Sequence, residues 1–447
     1  TNHEPRVTSH EPRTNMRIFY DLFFLIFGLF YIPGLLLKGK LHRDFPQKFG
    51  LLPEEVTAPE RPVWIHAVSV GEAVVAAKLA GAIKGSFPDI PVIVSTTTRT
   101  GKDMLRKAVN IRRTEGAAPR SVDAVFYYPL DISAVVSRVV RLVKPRLYLM
   151  VETELWPNLL EELHLKGVPV VLANGRISDS SFGNYKKIRF FTKRILRCVD
   201  LFCMQSAKDA EKIKALGARD EKVCVTGNMK FDDLSIPSKG AGFTREELGF
   251  DGSEELLVAG STHFPEEQMV IDVYRQLKEK KNNMKLVLAP RHVERADAIR
   301  IYIEKSGLRY RRFSDVLKGG KGQCDILLVD TIGHLKDIYS AASVVFVGGT
   351  LAKKGGQNPI EPARWGKPVV FGPDMSNFRE IAEVFLENDA AVSVKDTAEM
   401  KKAIEDLLTD PGRRDRMAGN ALKVIEKNSG TVARTVEKIE KYLEPIA

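Results

Sequence analysis

With 447 residues the chain exceeds the usual size of a single hydrophobic core, so two domains of about 200 residues each are the default. A charged fraction of 28% and a hydrophobic fraction of 44% are those of a folded soluble protein, while the net charge of +11 calls for an acidic partner: nucleic acid, anionic lipid or a phosphorylated substrate. The four cysteines (Cys198, Cys203, Cys224, Cys324) show no CxxC or Cys/His ligand spacing, which sets metal binding aside and reads as reduced, mostly buried thiols.

Residues 1–15 are polar and repeat His-Glu-Pro-Arg, so a disordered tail is expected there. From Leu22 to Leu37 the chain is apolar, broken only by Gly28, Pro33 and Gly34, with five phenylalanines between positions 19 and 30 and no polar face. This stretch falls short of the roughly 20 residues that span a bilayer, unless Ile18–Tyr20 extend it across Asp21. No small-x-small cleavage site follows; instead come Lys38, Lys40, His42, Arg43 and Lys48, which favour retention of that side in the cytoplasm. A single N-terminal membrane anchor over 16–40 is the resulting expectation.

Beyond it, short β-rich runs alternate with helical stretches. Strands are expected at 63–69, 91–98, 124–129, 146–153, 169–175, 201–206 and 223–227, then at 256–261, 284–290, 324–330, 344–349, 368–372 and 390–394. The runs 146–153 and 169–175 are nearly continuous apolar, as strands covered on both faces should be. A Ser/Pro/Gly-rich break at 235–242 separates the two series. The expected organisation is therefore α/β, with one Rossmann-like doubly wound domain at 41–234, a linker at 235–242 and a second such domain at 243–447. Two such domains facing a cleft make the architecture known among glycosyltransferases as GT-B. No GxGxxG follows a first strand and no GxxxxGK[ST] is present, which disfavours dinucleotide and NTP enzymes.

In doubly wound sheets ligands lie at the carboxyl ends of strands, so the residues there are the candidates. Strand 63–69 runs into Val70-Gly71-Glu72. Strand 146–153 ends in Glu152-Thr153-Glu154-Leu155-Trp156-Pro157-Asn158, where the period of two puts Glu152 and Glu154 on one face. Lys230 sits in Gly227-Asn228-Met229-Lys230-Phe231-Asp232. In the second half, Gly260-Ser261-Thr262-His263, Pro290-Arg291-His292 and Asp330-Thr331-Ile332-Gly333-His334 close successive strands. Most informative is 348–362, Gly-rich at 348, 349, 355 and 356, which is expected to turn backbone N–H groups toward a ligand. Asn358 and Glu361 follow at an expected helix start, an amide for phosphate oxygens and a carboxylate for vicinal sugar hydroxyls. Arg291 is the natural phosphate fork, and Glu72 reads either as a general base or as a helix-dipole partner.

Taken in order, SVGE (69–72), ETELWPN (152–158), GNMKFD (227–232), GSTH (260–263), PRH (290–292) and GGQNPIEP (355–362) resemble the 3-deoxy-D-manno-oct-2-ulosonic acid (Kdo) transferase family. The resemblance runs from the apolar stretch to about Glu383. It implies a GT-B enzyme on the cytoplasmic face of the bacterial inner membrane that moves Kdo from CMP-Kdo onto a lipid A precursor, lipid IVA, with inversion and no metal or other cofactor. By motif position it implies Glu72 as proton acceptor, Glu152 and Lys230 as stabilisers of the transition state, and Pro290, Arg291, Ile332, Gly333, His334, Asn358, Pro359, Ile360 and Glu361 as nucleotide contacts. His334 stands where the family pattern leads one to expect Glu, and Gln357 where it leads one to expect His. The implied partners are the donor, the lipid acceptor and an anionic membrane surface, not nucleic acid. Residues 184–197, with Lys186, Lys187, Arg189, Lys193, Arg194 and Arg197 interleaved by Tyr185, Phe190 and Phe191, are either a solvated basic helix or that membrane-facing surface. Two other classes stay open on the residues alone: a membrane-associated GT-B enzyme using another nucleotide sugar, and a membrane-tethered binding protein.

Overall fold

The computed structural model describes residues 20–22, 44–110, 121–233, 237, 241–320 and 322–444. It divides into two compact units: Thr1–Asp232 with Gly430–Ala447, and Asp233–Ser429.

The first unit is built on seven parallel strands: β1 (Val63–Ala67), β2 (Val92–Thr96), β3 (Ala124–Tyr127), β4 (Leu147–Val151), β5 (Val170–Gly175), β6 (Leu201–Met204) and β7 (Val223–Val225). Their order is β3-β2-β1-β4-β5-β6-β7, so the winding reverses between β1 and β4, where Val63 lies opposite Leu147. Every residue of β1–β6 is buried, and only the edge strand β7 is open to solvent. The sheet has a core on each face, and the strands serve them alternately. Trp64, Phe126, Tyr148, Met150 and Leu172 point to one, whereas Val63, Ile65, Val94, Leu149 and Val171 point to the other. Burying such a side chain fully contributes roughly 1.5–3 kcal/mol, which is why uninterrupted Val/Ile/Leu runs form these strands.

The second unit repeats the plan with β8 (Glu255–Thr262), β9 (Met284–Pro290), β10 (Tyr310–Arg312), β11 (Ile326–Leu328), β12 (Val344–Val347), β13 (Val369–Phe371) and β14 (Ala391–Ser393). The order is β10-β11-β9-β8-β12-β13-β14, all parallel, with the reversal between β8 and β12. The register of β8 on β9 slips between Gly260 and Thr262, and Ser261 takes up the slip with φ +54°.

The structure corrects the domain limits at one end. The second domain expected over 243–447 stops short of that limit, at Ser429. The helix Thr431–Ile439 belongs to the first unit, where Val436, Ile439 and Leu443 join the core beneath β1 and β2. The division between the units falls at Asp232/Asp233, and most of the expected linker 235–242 lies outside the described residues. The expected anchor 16–40 also lies outside them except for Tyr20–Leu22. Among the described residues no helix is long and apolar enough to cross a membrane. The basic stretch 184–197 is not one helix but two, Asp179–Lys187 and Arg189–Leu196, broken at Ile188.

Candidate active site

In each unit two of the sequence motifs flank the point where the winding reverses, the place an open α/β sheet offers a ligand: 69–72 and 152–158 after β1 and β4, 260–263 and 348–362 after β8 and β12. In the first unit β1 delivers Ser69–Glu72 and β4 delivers Glu152–Asn158.

Glu72 opens the helix Val70–Ser86 in a complete capping box: Ser69 Oγ accepts from the Glu72 N–H (3.2 Å), while the Glu72 carboxylate accepts from the N–H groups of Val68 (2.8 Å) and Ser69 (3.2 Å). The carboxylate is thus held rigidly at the end of β1, and each of its oxygens keeps a second lone pair. Glu152 does not share a strand face with Glu154 as expected, because β4 stops at Val151 and Glu152 turns out of it with φ +60°. Glu154 follows in the turn, its N–H on the Glu152 carbonyl at 3.1 Å. Burial, then the charges of Glu72 and Glu152, push its carboxyl up to about 7. Three carboxylates therefore feel one another here. The rest of the motif is architectural. Pro157 starts the next helix, and Asn158, fully buried, donates Nδ2–H to the Asp131 carbonyl (2.8 Å) and to Asp21 Oδ1 (2.7 Å).

The 227–232 segment is also partly architectural. The Met229 N–H donates to Asn174 Oδ1 (2.9 Å) and the Lys230 N–H to Asn228 Oδ1 (3.0 Å). Asp232 accepts from the Val432 N–H at 2.6 Å and so fastens the returning C-terminal helix. Lys230 is half-buried on this pinned turn.

In the second unit the glycine-rich loop differs from expectation. Its glycine N–H groups are not turned toward a ligand; all four are satisfied inside the unit. Gly348 donates to the Gly260 carbonyl, Gly349 to Glu266, Gly355 to Asp374 and Gly356 to the Gly349 carbonyl, at 2.7–3.0 Å. Glu266 is the hub. Wholly buried, its carboxylate accepts from the N–H groups of His263, Gly349, Thr350, Leu351 and Ala352 at 2.7–3.2 Å. The loop is an anion nest that the protein fills with its own anion. The helix expected after it is a single turn, Ile360–Ala363, with Asn358 Oδ1 accepting from the Ile360 N–H at 3.0 Å.

Side chains remain for an external ligand. Arg291 is exposed at the end of β9, its N–H on the Thr262 carbonyl (2.9 Å). Burial holds the Glu361 carboxyl above the usual carboxylate range, against the opposing pull of Arg364, Arg291 and Lys336, which places Arg291 and Glu361 in one electrostatic neighbourhood. Pro290 and Ile360 are buried, Asn358 is half-buried and Ile332 is 82% exposed. His334 is held by Thr331 (Nδ1···Oγ1 3.1 Å) and by the Phe313 ring at 5.3 Å.

Sequence reasoning missed the roles of Glu266 and Asp131. Asp131 caps the helix Pro157–Leu165 through the N–H groups of Asn158 (3.1 Å) and Leu159 (2.9 Å). The His263-x-x-Glu266 spacing was the available signal for the first, since it repeats the spacing of Ser69-x-x-Glu72. Asp131 offered none.

Residues 43–233 match the family model described as 3-Deoxy-D-manno-octulosonic-acid transferase (kdotransferase). The chain is 30% identical over 436 residues to the 3-deoxy-D-manno-octulosonic acid transferase of Haemophilus influenzae, covering 96% of this chain and 99% of that one. It is 31% identical to the enzyme of that name from Bordetella pertussis, over 89% of this chain and 91% of that one. In fold it is similar to the UDP-GlcNAc 2-epimerase of Neisseria meningitidis (TM-score 0.55, 14% identity, 85% of this chain and 100% of that one), a GT-B-like α/β fold. The chain belongs to the 3-deoxy-D-manno-octulosonic acid transferase family and is a glycosyltransferase.

Proposed function

We propose that this protein transfers Kdo from CMP-Kdo to the lipid A precursor lipid IVA, with inversion and without a metal, using Glu72 as general base. The observation that carries this is the gathering of Glu72, Glu152 and Glu154 at the reversal point of the first sheet, where burial first and then the charges of Glu72 and Glu152 push the Glu154 carboxyl up to about 7. Like charges are assembled at such cost where chemistry uses them.

The first unit takes the acceptor. Its hydroxyl attacks the anomeric carbon of Kdo from the face opposite CMP; the new C–O bond forms as the C–O bond to phosphate breaks, and CMP departs with the electron pair. Glu72, fixed by its capping box, takes the hydroxyl proton on a remaining lone pair. Glu152 and Lys230 stabilise charge in the transition state. The second unit takes CMP-Kdo, with Arg291 on the phosphate, Glu361 on the ribose hydroxyls, and Pro290, Ile332, Gly333, His334, Asn358, Pro359 and Ile360 shaping the pocket. No DxD closes a strand in the sequence, so Arg291 carries the neutralisation a metal would supply.

We place the protein on the cytoplasmic face of the inner membrane, anchored by residues 16–40. Exposed Lys186, Lys187, Arg189, Lys193 and Arg197 surround Phe190 (87% exposed) and Ile188 (52%), a composition suited to anionic lipid.

Purified protein given CMP-Kdo and lipid IVA should release CMP only when both are present, and NMR of the product should show the inverted linkage. In the Glu72→Gln variant the carboxamide accepts only one of the two N–H groups, so a stability loss of about 1 kcal/mol is expected alongside the chemical effect. Turnover per folded molecule should fall roughly 10²- to 10⁴-fold. Retention of more than about a tenth of wild-type turnover, outside that range, removes Glu72 as the base.

A further inference from the structure

Since the glycine N–H groups are all used internally, the nest at Gly349–Ala352 has no room for a ligand's anion. A CMP-linked ulosonic acid carries two anions on neighbouring positions: the phosphate ester on the anomeric carbon, and a carboxylate on that same carbon. Arg291 answers the first. The second has to be met by side chains beside the same loop.

One group of side chains there has the required chemistry. His263 leaves β8 at its bulge and presents Nε2 at 3.5 Å from Gln357 Nε2. In the Nδ1–H tautomer the Gln357 amide donates to the ring; in the Nε2–H tautomer both nitrogens are donors, an arrangement completed by an acceptor shared between them. The His292 ring stands edge-on to His263, centroids 5.4 Å apart. Lys354 lies on the loop itself and is exposed, as are Arg291 and His292. The floor is Gly349 (φ +74°), where a Cβ would lie in ordinary van der Waals contact with both side chains, 3.4 Å from His263 Cδ2 and 3.5 Å from Gln357 Nε2. Carboxylates in this neighbourhood are engaged, Glu266 in its nest, Glu294 with His292 Nδ1 at 3.4 Å and Asp374 with the Gly355 N–H at 2.8 Å. Burial first, then the positive charges of His292, Arg291 and Lys354 against the opposing charge of Glu266, hold the His263 imidazole below its ordinary range. An anion placed here meets N–H donors and the positive charges of Arg291 and Lys354 together.

We propose that His263, Gln357 and Lys354 form the subsite for the sugar-acid carboxylate of the donor, separate from the nucleotide contacts. This rests on the reading of the donor as a CMP-linked sugar acid. It also gives a role to Gln357, where the family pattern led to an expected histidine: a carboxamide N–H replaces an imidazole N–H in the same carboxylate contact.

The test is calorimetry of the full-length protein in detergent with two probes, CMP and CMP-Kdo. The variants are His263→Ala, Lys354→Ala and Gln357→Glu, the last keeping size while placing a negative charge in the subsite. CMP affinity should stay within about twofold of wild type, while CMP-Kdo affinity should drop about tenfold or more in each, the size of one lost charge-assisted hydrogen bond. Melting temperature, read on the same samples, should not change. Equal weakening for CMP and CMP-Kdo, or unchanged CMP-Kdo affinity in all three variants, overturns the carboxylate subsite. Wild-type protein that binds neither probe overturns the CMP-sugar reading itself, and the subsite with it.

Discussion

Glu266→Gln is the substitution whose structural cost can be worked out most fully. One carboxylate oxygen accepts from the His263 (2.9 Å) and Gly349 (2.7 Å) N–H groups, the other from Thr350 (2.9 Å), Leu351 (2.9 Å) and Ala352 (3.2 Å). A carboxamide keeps one acceptor oxygen and turns its NH₂ toward the other set. In the better orientation the oxygen faces Thr350–Ala352, and two buried N–H groups, those of His263 and Gly349, confront a donor. Each unsatisfied buried donor costs about 1–3 kcal/mol, so the loss should be about 2–6 kcal/mol. Removing the negative charge from the first turn of the helix Glu266–Lys278 adds about 0.3–1 kcal/mol. For a unit of this size 1 kcal/mol moves the melting point by about 2–4 °C, so the transition of the second unit should fall by at least about 4 °C. Scanning calorimetry resolves that transition from the first unit's. Glu267→Gln is the control, since Glu267 has one partner, Arg295 Nε at 3.3 Å, and should shift less. A Glu266→Gln transition within 1 °C of wild type, or no lower than that of the control, refutes the internal-anion account of the loop.

Glu154 should make stability depend on pH. Its folded-state value of about 7 lies above the ordinary 4.5, so the folded state binds the proton more tightly; that stability is fully present below pH 4.5 and is lost as pH rises through 7. Glu154→Gln should therefore melt higher than wild type at pH 8 and no higher at pH 4.5, and parallel melting curves across this range would refute it. Asp21 should matter for folding as well as for any anchor, because Oδ1 accepts from the Ser133 N–H (3.0 Å) and Asn158 Nδ2 (2.7 Å). Asp21→Ala should cost about 1–3 kcal/mol in the first unit's denaturant midpoint, and an unchanged midpoint would show the contact idle.

Strands were legible where burial on both faces writes long apolar runs, as at Leu147–Val151 and Met284–Pro290. The strand Tyr310–Arg312 was not, because an edge strand of three partly exposed residues, two of them arginines, carries no such run. Nor does amphipathic periodicity in 431–439 say which sheet the helix will cover; Asp232, about two hundred positions earlier in the chain, decides that through its bond to the Val432 N–H. The place of Glu72 in a first helical turn could be read because its partners are within four residues. The nest around Glu266 could not, since four of its five donors lie more than eighty residues away. Long-range hydrogen bonds between loops leave no local pattern, and a glycine-rich loop reads the same whether its amides await a ligand or already hold a carboxylate.

The left-handed backbone at Glu152 bears on how this protein could be engineered. A non-glycine residue with φ +60° costs about 1–2 kcal/mol relative to an unstrained position, and glycine would recover part of that. A heat-tolerance screen that scores only surviving fold rewards relief of this strain and is blind to what the Glu152 carboxylate does. Libraries built on this scaffold therefore need to hold position 152 fixed or score sugar transfer in the same round, because under the role proposed for Glu152 the most robust sequence and the working one diverge.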